Sequence, residues 1–495
     1  MTTFKSSRLY IIGAGFAGQT LTNEIKSKGI FGKVVAYLDD STDKIGRRID
    51  DIPVLGPIRD VAKLLRLHPG DEAIIAIPSA GKEYLEELYG ILKTAGFERI
   101  RILPGISQII EGNAHLIQTR SIDPQDLLGR TPVAVNLRQS LNYLRGKRVL
   151  VTGAGGSIGS EIARQLLLAG AARLYLFGHG ENSIYQIDKE LKLLQEEGIG
   201  EKTVLVPIIG DLKDKTYMDW ILAHTKADVI FHTAAYKHVP MMEENPVAAI
   251  ENNLFGTANL IAAAKTNRIR RFVHITTDKA VEPVSVYGVS KLLCEGLVLE
   301  AARETDSSSF IVVRFGNVLG SRGSIMPLLQ KQIEKGGPIT LTHPEMRRWF
   351  MTIPEACSLV LKAGGVGENG ALYLLDMGEP VKIRDLAEKM IRFYGLEPEE
   401  DISIEYVGLR PGERLYEKLV WDSEKPKATD FDLIFKVERS EPDKPNINVI
   451  MEKLRPVCQF DPSQAEKYRN SSLLKGILRE HIASYAETLS KQENG

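Results

Sequence analysis

Lys147-Arg-Val-Leu-Val-Thr152 runs straight into Gly153-Ala-Gly-Gly-Ser-Ile-Gly159, and a helix-favouring run from about Ser160 to Ala169 follows. A short apolar run bounded by glycine reads as a buried strand. Glycines at 153, 156 and 159 leave bare backbone N–H groups at the start of a helix, where a pyrophosphate is favoured. That spacing alone is a moderate signal. The rhythm recurs, however, in Arg173-Leu-Tyr-Leu-Phe177, Thr203 to Ile209, Asp228-Val-Ile-Phe-His232, Arg271-Phe-Val-His-Ile275 and Phe310-Ile-Val-Val-Arg314, with helical spacers between them. Strands alternating with helices predict an α/β fold with a doubly wound parallel sheet. Polar residues gather where these strands end, at Asp211, Thr233, Thr276 to Lys279 and Asn317. In such sheets the ligand crevice lies beyond the carboxyl ends of the strands.

The second strand of a dinucleotide fold usually ends in an acid that holds ribose hydroxyls. Here it ends in Phe177-Gly-His-Gly-Glu181. The missing acid removes repulsion against a 2′-phosphate, Glu181 is in range of a ribose, and His179 is in range of phosphate or adenine. The choice between NAD and NADP stays open.

Working outward, the N-terminal part repeats the pattern. Arg8-Leu-Tyr-Ile-Ile12 precedes Gly13-Ala-Gly-Phe-Ala-Gly18, a helical run from Gln19 to Lys28, and a strand Lys33 to Asp39. A glycine turn between strand and helix, with an acid ending the next strand, marks Gly13, Gly15, Gly18 and Asp39 as a second nucleotide site. Glu72 to Ile77, a helix from about Lys82 to Ala95 and Arg99 to Leu103 continue the rhythm. No acid–base cluster accompanies this unit, so a purely structural or regulatory nucleotide fold is the competing reading. Ala114 to Asn136, with Pro124 and Pro132, reads as a connector with a docking element at Asp126-Leu-Leu-Gly-Arg130. The predicted organisation is two Rossmann-like domains, 1–145 and 146–425, and a tail, 426–495. The tail carries helical apolar spacing over Asn446 to Leu454 and Ser471 to Leu489, and packs on the body or on a neighbouring subunit.

A chain of 495 residues exceeds one ordinary core. A net charge of −1 offers no general attraction for nucleic acid or an anionic membrane. The 3 cysteines, Cys294, Cys357 and Cys458, lie far apart without metal-ligand spacing. They read as reduced thiols, and no metal site is expected. The opening residues lack a signal-peptide core, and no apolar run reaches spanning length. The expectation is a cytoplasmic protein without a membrane span.

The chemistry concentrates between Thr276-Thr-Asp-Lys279 and Tyr287-Gly-Val-Ser-Lys291. On a helix Tyr287 and Lys291 share a face, so the ammonium is expected to lower the phenol's pKa from about 10. Such a phenol can take a proton from a sugar hydroxyl as hydride leaves its carbon. Asp278 and Lys279 supply an acid for a departing hydroxyl and a base for the adjacent carbon-bound proton, the two groups that a dehydration needs.

At this point the second domain resembles the polysaccharide-biosynthesis nucleotide-sugar 4,6-dehydratases, within the extended short-chain dehydrogenase/reductase superfamily. The matching segments are Thr152 to Glu161, Ala234-Ala-Tyr-Lys-His-Val-Pro240, Asn252-Asn-Leu-Phe-Gly-Thr257, Thr276 to Ala280, Arg314-Phe-Gly-Asn-Val-Leu-Gly320, Thr342 to Met346, Phe350 to Glu355 and Leu409-Arg-Pro-Gly-Glu413. The resemblance implies a tightly bound NAD or NADP held by Gly153, Gly156, Ser157, Ile158, Gly159, His179, Glu181, Asp211, Leu212, Ala234, Ala235, Lys237, Asn252, Tyr287 and Lys291. It implies a UDP-sugar substrate, UDP-N-acetylglucosamine, contacted by Lys237, Asn317, Arg322, Arg347, Arg410 and Glu413. It also implies catalytic roles for Thr277, Asp278, Lys279, Tyr287 and Lys291, and a homo-oligomer. Longer members carry N-terminal membrane helices and Met at the position of Tyr287; this chain has neither, and C5 inversion versus retention stays open. A UDP-sugar 4-epimerase and a non-catalytic nucleotide-binding regulator are the alternatives.

Overall fold

The structure is a computed structural model that describes residues 8–28, 32–68, 70–77, 82–97, 99–102, 120–121, 141–305, 307–393, 396–439 and 445–487. The predicted connector and its docking element lie outside these residues, except for a two-residue strand, Arg120–Ser121. The chain forms two compact units: Met1–Thr131 with Leu328–Thr340 and Asp385–Glu405, and Pro132–Pro327 with Leu341–Arg384 and Tyr406–Gly495.

The first unit holds β1 (Arg8–Ile12), α1 (Phe16–Lys28), β2 (Lys33–Leu38), β3 (Ile52–Leu55), β4 (Glu72–Ile75), α2 (Lys82–Thr94) and β5 (Arg99–Ile102). Its sheet runs β3-β2-β1-β4-β5 in parallel, with the short strands Arg48–Ile49 and Arg120–Ser121 added antiparallel at the two ends. Side chains alternate across the pleat. Leu9 and Ile11 therefore pack with Leu21 and Ile25 of α1, while Tyr10 and Ile12 face Leu88 and Leu92 of α2. Burial on both faces is what a parallel sheet requires.

The second unit is built on β6 (Arg148–Thr152), α3 (Ser157–Leu168), β7 (Arg173–Gly178), α4 (Glu181–Glu196), β8 (Val204–Ile209), β9 (Val229–His232), β10 (Arg271–Thr277), α5 (Val286–Arg303), β11 (Ser309–Phe315) and β12 (Leu372–Leu375). Its 9-stranded sheet has the order β8-β7-β6-β9-β10-β11-β12, extended by the hairpin β13 (Glu424–Ala428) and β14 (Ile434–Arg439), with β14 against β12. The strands from β8 to β12 are parallel, and the hairpin is antiparallel. The order reverses between β6 and β9, the switch point at which such sheets open a crevice. The hairpin is a finding; the Pro- and charge-rich sequence after Lys425 carries no strand period. Pro426 stands on the outermost strand, where sheets tolerate proline.

Two tail helices, α6 (Ile447–Cys458) and α7 (Ser471–His481), follow. Their apolar faces, with Ile447, Ile450, Leu454, Leu474 and Leu478, bury against Val289 and Leu293 of α5. The tail thus supports the helix that carries Tyr287 and Lys291. Cys294, Cys357 and Cys458 are free and buried. Among the described residues, no helix is long and apolar enough to cross a membrane, and no group of His, Cys, Asp or Glu could hold a metal ion.

Candidate active site

After β6 the chain turns at Gly153, whose φ of +68° favours glycine. A Cβ there would lie 2.8 Å from the Ala234 backbone, and one on Gly159 would lie 2.2 Å from the Gly153 carbonyl oxygen. The glycines thus let α3 and the segment after β9 close on one turn. Gly156 is the N-cap of α3, so the N–H groups of Ser157 and Ile158 belong to the first turn, which lacks intrahelical acceptors. Thr233 Oγ1 donates to the Thr152 carbonyl at 2.7 Å, which sets Ala234 and Ala235 beside the loop. Arg322 belongs to this loop as well: its Nη1 donates to the Gly155 carbonyl at 3.0 Å and its N–H to Ser157 Oγ at 3.1 Å. A bare cradle at a helix N-terminus fits a dinucleotide pyrophosphate.

Beyond β7, His179 and Glu181 are exposed, and the His179 ring meets the Tyr236 ring edge-on with centroids 6.1 Å apart. Asp211 Oδ1 accepts the Lys213 N–H at 2.9 Å, and Leu212 is buried while its carbonyl accepts Asn259 Nδ2 at 3.0 Å. Asn252 is buried and donates to Asn253 Oδ1 at 3.0 Å. Asn253, which sequence reasoning passed over, is the organiser here. Its Oδ1 accepts the Tyr236 N–H at 2.8 Å, and its Nδ2 donates to the Tyr236 carbonyl and to Ser290 Oγ, each at 3.0 Å. It thereby ties the Ala234–Lys237 segment to α5.

The acid–base cluster forms where β10 ends. Asp278 is fully buried. Its Oδ1 accepts from Thr277 Oγ1 and from Lys279 Nζ, each at 2.9 Å. Its Oδ2 is buried with no hydrogen-bond partner. Lys279 Nζ also donates to Asn317 Oδ1 at 3.2 Å and stands 3.8 Å from Glu417 Oε1. Gly288 allows α5 to reach this turn, because a Cβ there would lie 2.3 Å from the Lys279 carbonyl oxygen. Tyr287 is therefore buried beside Asp278 and Thr277. Burial pushes its phenol well above the ordinary value, the Asp278 charge adds to this, and a hydrogen bond with Thr277 opposes it.

The expected lowering of this phenol by Lys291 is corrected. Lys291 does share the helix, but its Nζ donates to the Ile275 carbonyl at 2.6 Å and contacts His274 Nε2 at 3.3 Å. The nearest acceptors belong to β10, so the ammonium turns to the strand. Burial pulls Lys291 below its usual value. Receiving that donor requires an unprotonated Nε2 on His274. Beneath it, the His232 nitrogens pair with Thr152 Oγ1 at 2.7 Å and Thr257 Oγ1 at 2.8 Å, and burial takes His232 down to about 3. This neutral pair forms the floor below Lys291.

The helix is pinned at its N-terminal end and at its middle. Ser285 Oγ accepts the Gly288 N–H at 3.1 Å, and Glu243 Oε1 accepts that of Val286 at 2.6 Å. Lys475 of the tail donates to the Glu243 carbonyl at 3.0 Å. Further along α5, Glu295 meets the fully buried Arg314 at 2.7 Å, which also pairs with Glu424 at 2.6 Å. Arg439 bridges the same two carboxylates.

The remaining predicted contacts are placed by other partners. Lys237 Nζ reaches Ser321 Oγ at 3.4 Å. Arg347 Nε is buried without a hydrogen-bond partner. Arg410 and Glu413 form one turn, in which the Arg410 N–H donates to Glu413 Oε2 at 3.2 Å. Arg348 donates to the carbonyls of Arg347, Arg414 and Leu415 at 2.8, 2.8 and 3.1 Å, which fixes the segment that ends in Glu417. Neither Arg348 nor Glu417 carries a local sequence signal, because their partners are remote in the chain.

A family model described as "Polysaccharide biosynthesis protein" matches residues 149–439. The capsular polysaccharide biosynthesis protein CapD of Staphylococcus aureus is 41% identical over 446 residues, which cover 90% of this chain and 74% of that protein. The probable polysaccharide biosynthesis protein EpsC of Bacillus subtilis (strain 168) is 42% identical over 416 residues, covering 84% of this chain and 68% of that protein. Among solved structures, Pen from Bacillus thuringiensis is similar with a TM-score of 0.52 and 33% identity, over 56% of this chain and 84% of that one. The chain therefore belongs to the polysaccharide biosynthesis protein family, and its second unit carries a Rossmann-type α/β fold.

Proposed function

We propose that this protein is an NAD- or NADP-dependent UDP-N-acetylglucosamine 4,6-dehydratase, which forms a UDP-4-keto-6-deoxy-N-acetylhexosamine for surface glycan synthesis. The observation that carries the reading is the fully buried Asp278, held 2.9 Å from the Lys279 ammonium and set beside Tyr287. An epimerase has no need of such an elimination pair. The capsular role in the name of the CapD relative is consistent with the proposed destination.

The nicotinamide cofactor, when bound, would accept hydride from C4 and return it to C6. Tyr287, oriented by Thr277, takes the O4 proton as a phenolate, the form that burial beside Asp278 disfavours. The resulting ketone acidifies C5–H. In the ion pair, Asp278 is a carboxylate and Lys279 an ammonium; moving one proton along their hydrogen bond produces a carboxylic acid and an amine. Those are the two forms that elimination requires. Lys279 then removes the C5 proton while Asp278 protonates the C6 hydroxyl as it leaves, and the ion pair is restored. Before that step the acid proton lies on Asp278 Oδ1, the oxygen that accepts from Lys279 Nζ. Lys237, Arg322, Arg347 and Arg410 are assigned to the diphosphate, Glu413 to the ribose hydroxyls and Asn317 to the sugar diphosphate. As hydride returns to C6, C5 regains a proton, in sum the one Tyr287 took from O4, so the sequence closes in protons and stays redox-neutral.

The test is incubation of the protein with UDP-N-acetylglucosamine and either cofactor, with the product followed by mass. Loss of one water is expected. An isomer of unchanged mass would instead identify a 4-epimerase, and no turnover would indicate a binding protein.

A further inference from the structure

Glu417 has no part in the elimination as written. Its residue is nevertheless only 9% exposed, and its carboxylate lies 3.8 Å from Lys279 Nζ. The segment is held on both sides of it: Arg348 donates to the preceding carbonyls, and Trp349 Nε1 donates to the Glu417 carbonyl at 2.9 Å. The Lys279 amine thus sits among Asp278 Oδ1, Asn317 Oδ1 and Glu417 Oε1. Two buried carboxyl groups face one amine. Removing charged groups from water is costly unless they are paired. Burial accordingly lifts Glu417 above the usual carboxylate range; Lys279, Arg348 and Arg414 act against this and Asp278 with it.

Resting on the dehydratase reading, we infer that Glu417 is a positioning residue for the elimination: it holds the Lys279 amine opposite the acid and, through its charge, sets how readily that amine releases its proton. A negative neighbour favours an ammonium, and its removal favours the neutral amine. The groups that face this equilibrium are Asp278 at the end of β10, Tyr287 on α5, Asn317 after β11, and Arg348 and Arg414 beside Glu417. The influence of Glu417 is present above its own titration, where it is ionised, and is lost below it.

The experiment measures water loss from UDP-N-acetylglucosamine against pH for the full chain and for Glu417→Gln and Glu417→Asp, with melting temperatures. Gln keeps the shape and removes the charge. The limb that reports Lys279 deprotonation should move to lower pH by about one to three units, with KM within about threefold. Asp keeps the charge on a shorter stem. It should leave that limb in place and lower kcat by about tenfold, a loss expected of misplaced groups. A Gln profile that superposes on that of the native protein overturns the inference, as does a joint change in KM, kcat and melting temperature without a pH shift. If the Gln variant does not fold, the Asp variant decides, and an unchanged kcat overturns the role. Absence of water loss in the native protein would remove the dehydratase reading itself, an outcome distinct from dehydration with an unmoved profile.

Discussion

Two strand–loop–helix units in this chain begin alike and part at the end of their second strand. In the first unit, Asp39 follows β2, and its carboxylate folds back on its own loop. Its Oδ2 accepts the Ala14 N–H at 2.7 Å and Lys44 Nζ at 3.1 Å, and its Oδ1 accepts the Ser41 N–H at 2.8 Å. In the second unit the equivalent place holds Gly178 and His179, and the charged chemistry lies at the ends of β10 and β11. The acid that reads as a ribose ligand in sequence also braces its own loop in the fold. A glycine-rich turn specifies how strand, helix and phosphate approach; reaction type depends on what later strands carry to the same edge.

The strongest test of that contrast is Lys279→Ala. Water loss should fall by about 10²- to 10⁴-fold, the range for a lost acid–base group. Cofactor affinity should stay within about twofold, because the Lys279 partners are Asp278, Asn317 and Glu417 and none belongs to the glycine loop. Product mass and cofactor titration measure the two effects separately. Ordinary dehydration by this variant would deny the second unit its chemical distinction.

The paired loops can next be compared directly. A Cβ on Gly159 would stand 2.2 Å from the Gly153 oxygen, and one on Gly18 would stand 2.0 Å from the Gly13 oxygen. Both alanine variants overpack, at a cost of about 1–3 kcal/mol. Gly159→Ala should weaken cofactor binding by about 5- to 150-fold and reduce turnover with it. Gly18→Ala should destabilise the first unit by a similar amount and leave water loss within about twofold. Equal losses of turnover in both variants would show that the two loops serve one reaction.

Much of this contrast is legible in the sequence, because strands, glycine turns and the Thr277–Lys291 stretch are local signals. Helical spacing puts Tyr287 and Lys291 on one face, yet it is silent on the carbonyl of Ile275 and the ring of His274. Those acceptors lie on β10 and redirect the ammonium. Glu417 and Asn253 are missed for the same reason. Each acts on a partner brought near only by tertiary structure, Lys279 in one case and Tyr236 in the other. The hairpin of β13 and β14 escapes because strands at a sheet edge need little apolar alternation.

Asp39 supplies the smallest effect and the sharpest separation of the units. Burial alone would raise its pKa, but the N–H groups of Ser41 and Ala14 and the Lys44 ammonium outweigh it and hold the carboxyl below its usual range. A depressed carboxylate contributes stability that is present above the unfolded value, about 3.9, and is lost as pH falls through the lower folded value. Asp39→Asn keeps the outline of the side chain and removes the charge. It should reduce the stability of the first unit by about 1–2 kcal/mol at pH 7 and speed hydrogen exchange at the Ala14 and Ser41 amides. The difference from the native protein should close as pH drops below the unfolded value, because the native carboxyl then becomes protonated too. Water loss by the second unit should not change. A stability gap that persists unchanged at acid pH would mean that shape rather than charge braces the loop, and a fall in water loss would mean that the first unit acts on the chemistry of the second.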